Sequence, residues 1–156
     1  HFDTYIFTYT TIRQGEALMK LAILRIHGVH CLPEEVVRHF EEEPDSVWRA
    51  GERMLRGKIR ADSGISYCVS DVSSNEELIR DIRAFVRKNE HGLSELVSQG
   101  LRAELGVGVS VGDASQYTSS VLFEAEDLRI FENLGISLVF SAYPTSDEAN
   151  VSDAPQ

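Results

Sequence analysis

From Leu18 to His27 the chain carries a nearly unbroken apolar run, with Leu21, Ile23, Leu24 and Ile26 close together and Gly28 at its end. That pattern predicts a mostly buried strand. Upstream, Phe2 to Ile12 alternates Tyr5, Phe7 and Tyr9 with Thr4, Thr8 and Thr10, which predicts an edge strand with one wet face, joined through a turn at Arg13 to Glu16. Further on, Ile65, Tyr67 and Val69 alternate with Ser66, Cys68 and Ser70, the pattern of a half-buried strand.

Helical signals separate these runs. Pro33 at a first helical position, Glu34 and Glu35 at the positive end and Val36, Val37 and Phe40 as an apolar stripe predict a short helix. Pro44 ends it and opens a long loop through Trp48 and Gly51. The clearest helix starts at Ser74, with Glu77 at capping-box spacing and Leu78, Ile82, Phe85 and Val86 on one face. Gly92 is expected to break it after Asn89, leaving a second short helix with Leu93, Leu96 and Val97 that Gly100 terminates.

Two alternating runs follow, Leu105 to Val111 and Val121 to Phe123, with a turn starting at Gly112-Asp113, and they predict a hairpin. A helix around Glu126 to Leu134, with Leu128, Phe131 and Leu134 inward and Gly135 as its stop, leads into a strand from Ile136 to Tyr143. The fold class expected is α+β, with a ferredoxin-like split βαβ core, extra N-terminal strands and a short helix, and helices packed on one sheet face. Residues 1–144 read as a single domain. The acidic stretch from Thr145 to Gln156 has too little apolar surface to offset its ordering entropy and reads as a flexible tail.

Charge changes the picture most. Of 156 residues, 25 are acidic and 15 basic, a net charge of −10. Such a field repels phosphate backbones and anionic membranes, so neither nucleic acid nor membrane is expected as a partner. No apolar run approaches the roughly 20 residues a membrane helix needs, and no signal-like segment opens the chain, so a cytoplasmic location is expected. The two cysteines, Cys31 and Cys68, read as free buried thiols.

Several landmarks fall in a recognisable order: Leu24-Arg25-Ile26-His27-Gly28 before Pro33-Glu34-Glu35-Val36, then Pro44-Asp45 and Arg49-Ala50-Gly51-Glu52. The helix from Glu77 and the Leu128 to Pro144 segment, with Leu134-Gly135 and Phe140 to Tyr143, continue it. In these features the chain resembles a small, mainly bacterial family known as domain of unknown function 4279, over about residues 20 to 144. The resemblance implies a shared fold and brings no catalytic residue with it. It also implies a tryptophan in the strand at Ser66 to Ser70, where this chain has Tyr67 and Cys68; the aromatic N-terminal strand is an addition.

Candidate chemistry is sparse. His27, His30, Cys31 and His39 lie close in sequence, but His-x-x-His-Cys matches no standard zinc spacing, so no metal is expected. Cys31 beside His30 has the composition of a thiolate and its base, although adjacent side chains rarely face each other, and a structural cysteine is the expectation. Gly106-Val107-Gly108 with Gly112 lies inside a valine strand, outside the strand-to-helix turn a dinucleotide fingerprint needs, and reads as a small-residue face for close packing. No cofactor is expected. Arg49, Arg53, Arg56, Lys58 and Arg60 form the one dense basic stretch and read as a solvated face that neutralises the preceding acidic cluster.

The leading functional expectation is a small acidic protein-binding domain, most concretely an immunity-type protein that neutralises a basic toxin. Glu41, Glu42, Glu43 and Asp45 would steer a cationic partner, with an exposed Trp48 as aromatic anchor. The alternative is an enzyme or small-ligand-binding domain that uses the His27, His30 and Cys31 region. Homo-oligomerisation through the N-terminal strand is a third expectation.

Overall fold

The computed structural model describes residues 20–54, 57–111 and 118–144. The strand expected at Phe2 to Ile12, the turns at Arg13 to Glu16 and at Gly112-Asp113, and the tail from Thr145 lie outside these residues. Five strands occur among them, β1 (Lys20–Gly28), β2 (Ser46–Trp48), β3 (Ser63–Val72), β4 (Arg102–Val111) and β5 (Ile136–Pro144), in the sheet order β2-β3-β1-β4-β5. The helices are α1 (Pro33–Val36), which runs into a 3₁₀ turn at Val37–His39, α2 (Asn75–Lys88), α3 (Glu90–Ser98) and α4 (Ala125–Asn133).

β1 is the middle strand, antiparallel to both β3 and β4. Its continuous apolar run has a direct cause, because the strand is covered on both faces. Ala22, Leu24 and Ile26 join the main core with Tyr67, Leu105 and the inner faces of α2, α3 and α4, whereas Leu21 and Ile23 pack with Cys68 and Tyr143 on the opposite face. The class is therefore α+β, with helices α2, α3 and α4 packed on one face of a mixed sheet. Among the described residues no helix is long and apolar enough to cross a membrane.

The helix signals act as expected at most ends. Ser74 caps α2 by accepting a hydrogen bond from the Glu77 N–H at 3.1 Å. The break after α2 falls at Asn89, whose side-chain amide donates to the Phe85 carbonyl at 3.0 Å. Gly92 lies within α3 and acts through packing, since a Cβ there would stand 2.6 Å from the His39 carbonyl oxygen; the glycine lets α3 approach the 3₁₀ turn. Leu128, expected inward, is 47% exposed, while Phe131 and Leu134 are buried.

Among the described residues β4 has no hairpin partner after it, so the sheet is α+β without the hairpin on which the ferredoxin-like expectation was built. Residues 118–124 have no regular structure, and Phe123 serves as a packing residue against Phe131, ring centroids 5.5 Å apart. β5 takes the edge of β4 instead, running parallel to it. A parallel neighbour needs a crossover connection, and α4 supplies it. A short strand, β2, also appears where a long loop was expected, pairing with β3 from Ser46↔Ser66 to Trp48↔Gly64.

Candidate functional site

Strand alternation places Arg25 and His27 on the sheet face away from the helices. Register then brings their neighbours: Glu104 opposite Arg25, Arg102 and Gly64 opposite His27. Gly64 matters because a Cβ on it would lie 2.5 Å from Trp48 Cζ2 and 2.7 Å from His27 Cβ. Without that space the two rings could not sit side by side over β3.

Asp62, one residue before β3, ties the rings together. Its Oδ2 is 2.6 Å from His27 Nδ1 and its Oδ1 accepts from Trp48 Nε1 at 3.4 Å. A carboxylate only accepts, so Nδ1 is the protonated nitrogen in this pair. Nε2 lies 3.3 Å from Glu104 Oε1, without hydrogen-bond geometry, and is buried. The imidazole is thereby fixed in orientation by one carboxylate, with its second nitrogen turned toward Glu104. Arg25 shares this face; burial pulls its guanidinium below the ordinary value, and Glu104 and Tyr143 oppose that shift.

His27 opens onto a cleft of about 820 Å³ between the end of β1, α1, the end of α3 and the start of β4, lined also by His30, Arg38, His39, Asp62 and Arg102. This volume falls in the range of small-molecule sites. His39 is engaged at the rim, with Nδ1 3.5 Å from Glu95 Oε2. Among the described residues no group of three or more histidine, cysteine or carboxylate side chains is arranged to hold a metal ion.

The histidines expected to act with Cys31 are thus brought together, but Cys31 is not with them. It is 4% exposed within the main core, and burial first, then the carboxylates of Asp62 and Glu34, push its thiol up to about 11. Such a thiol is protonated and a poor nucleophile near neutral pH. Asp62 and Glu104 carry no sequence signature of their own. The only signal for them was cross-strand register, which alternation does not supply until the strand pairing is known.

The acidic patch is placed differently from expectation. Trp48 is buried at 4% exposure, with the Arg60 guanidinium 5.1 Å from its ring centroid, so it offers no exposed anchor. Lys88 reaches Glu41 at 3.0 Å and Glu42 at 2.5 Å, and the lysine holds the Glu42 carboxyl below its usual range. Asp45 extends the edge of β3 beyond β2, accepting from the Cys68 N–H at 2.6 Å. Glu41, Glu43 and Asp45 nevertheless remain exposed. Within the basic stretch, Arg49 pairs with Glu34 at 3.0 Å and Arg60 with Glu52 at 3.9 Å.

Gly106 and Gly108 behave as a small-residue face. A Cβ on Gly108 would stand 3.0 Å from the Tyr143 ring, which rests there.

No curated protein and no solved structure matches the chain. The family model described as Domain of unknown function (DUF4279) matches residues 17–145, a span that contains β1 to β5, α1 to α4 and the His27 cleft. On that match, the chain belongs to the DUF4279 family.

Proposed function

We propose that the protein is a small-ligand-binding domain whose working site is the His27 cleft, with His27 as a lining residue that Asp62 holds in position. The observation that carries this reading is an imidazole oriented by a carboxylate at 2.6 Å in the lining of a cleft of about 820 Å³. Cys31 has no part in it. The test is a metabolite-library titration followed by imidazole and backbone NMR signals. Binding should shift His27, His30 and Arg102 together, and His27→Gln should weaken it while leaving the fold intact. If no library member moves those signals, the reading fails.

A second reading is favoured by a separate observation, the net charge of −10 with Glu41, Glu43 and Asp45 exposed in one short loop. Here the protein is an immunity-type binder of a basic toxin, acting in a bacterial cytoplasm, and those carboxylates steer the partner. Charge reversal at Glu41, Glu43 and Asp45 should slow association with a toxin encoded beside it. Unchanged association kinetics would exclude this surface.

A further inference from the structure

We infer that the cleft takes a small anion, a molecule bearing one carboxylate or phosphate group, gripped by Arg38 and Arg102 with His30 as an additional donor. This deepens the ligand-binding reading and rests on it. The starting observation is a local balance of charge in a strongly acidic chain. The chain is strongly acidic overall, yet two arginines and three histidines line this one cleft against the carboxylates of Glu35 and Asp62.

Four arginines of the described residues are paired with a carboxylate: Arg49 with Glu34, Arg60 with Glu52, Arg80 with Asp81 and Arg83 with Asp127. Arg38 and Arg102 form no ion pair among the described residues, and both are exposed. Arg38 acts electrostatically on the Glu34 carboxylate, which itself accepts from Arg49 Nη2 at 3.0 Å. On the opposing side, Asp62 is committed to His27 and Trp48, which leaves Glu35 as the one uncommitted carboxylate of the lining.

Local backbone geometry removes the main objection. The C-terminal end of α3 forms part of the wall, and a helix end of that sign disfavours anions. Its last carbonyls are already occupied: Glu95, Leu96 and Val97 accept from the N–H groups of Gln99, Leu101 and Gly100 at 3.1, 3.2 and 2.9 Å. Gly100 makes this closure possible by adopting φ +89°. Arg102 follows directly and pairs in register with His27, so the guanidinium and the oriented imidazole belong to adjacent strands.

A guanidinium fork matches the paired oxygens of a carboxylate or a phosphate, and the cleft lining offers two of them, one from the 3₁₀ turn and one from β4. The global field sets the size limit. A polyanion such as nucleic acid would meet repulsion beyond the cleft, whereas a monoanionic or dianionic small molecule lies within the reach of the two arginines.

The experiment titrates the intact chain separately with inorganic phosphate, glycolate and glycerol at millimolar concentration, reading the NMR signals of His27, His30 and Arg102 and the fluorescence of Trp48. Phosphate or glycolate should bind, the two arms telling which oxyanion is preferred, with affinity falling as salt rises. Arg38→Gln and Arg102→Gln should each weaken binding about tenfold or more, as expected for a lost charged hydrogen bond. If both anions leave the signals unmoved while glycerol or a library compound shifts them, the anion assignment is overturned and the cleft reading stands. If nothing shifts them, both fall. Wild-type anion affinity in the double variant would also overturn the assignment.

Discussion

Arg83 on α2 grips Asp127 on α4 through two parallel hydrogen bonds, Nε to Oδ1 at 2.6 Å and Nη2 to Oδ2 at 2.8 Å. The same Asp127 accepts from the Glu124 N–H at 2.9 Å and so closes the N-terminal capping box of α4. One buried carboxylate therefore joins two helices and starts one of them. The Arg83 hydrogen bonds, reinforced by the Glu124 N–H against the opposing effect of burial, hold its carboxyl below the usual range. A depressed folded value means the stabilisation is complete above the unfolded value of about 3.9 and is lost as pH falls through the folded one. Asp127→Asn should flatten the acid limb of the stability curve, and Asp127→Ala should cost about 1–3 kcal/mol through the lost hydrogen bonds to Arg83 and the Glu124 N–H. Urea unfolding at neutral and acid pH measures both; parallel acid limbs in wild type and Asp127→Asn would contradict the assignment.

Gly64 should be among the least replaceable positions. Its missing Cβ is the space used by Trp48, His27 and the Ile26 carbonyl, all within 2.7 Å of where that atom would stand. Gly64→Ala is expected to lower stability by about 1–3 kcal/mol through overpacking, read as a fall in thermal midpoint together with a changed Trp48 emission.

Asp62→Ala should leave two donors without their acceptor, His27 Nδ1 and Trp48 Nε1. Each loss costs about 1–3 kcal/mol where the donor stays dry, less where water enters. Since Trp48 is the chain's one tryptophan, a red-shifted emission maximum reports that water directly. An emission spectrum identical to wild type would show that Asp62 does not hold the indole.

Neither cysteine should react readily with a thiol reagent in the folded protein at pH 7 to 8. Burial is the main cause that pushes Cys31 and Cys68 each up to about 11, so the thiolate fraction at neutral pH is small. Labelling should follow unfolding, with Cys68 the faster of the two because it is partly exposed. Fast labelling of Cys31 in native protein would restore it as a candidate nucleophile.

Where the sequence was legible, the signal was local. The apolar run of β1, the Ser74 cap of α2, Pro33 at the start of α1 and Gly135 after α4, with φ +65°, each act within a few residues of themselves. Where it misled, a distant partner decided. Gly92 has the composition of a helix breaker, yet Asn89 breaks the helix and Gly92 makes room for His39. Val121 to Phe123 alternates like a strand, but Phe123 packs against Phe131 and Phe140 while β5 occupies the edge of β4.

The candidate site divides along the same line. His27 and His30 stand out in the sequence as neighbours at a strand end, whereas Asp62 and Glu104 join His27 from distant parts of the chain only after β3 and β4 pair with β1. Periodicity and turn chemistry are backbone properties of a few residues, so the amino-acid order alone determined the core strand, most helix ends and the α+β class. Strand order, the burial of Trp48 and Cys31 and the clustering of charge in one cleft depend on which surfaces meet. Those were decided by packing, because hydrophobic burial is non-directional and takes its specificity from register and shape.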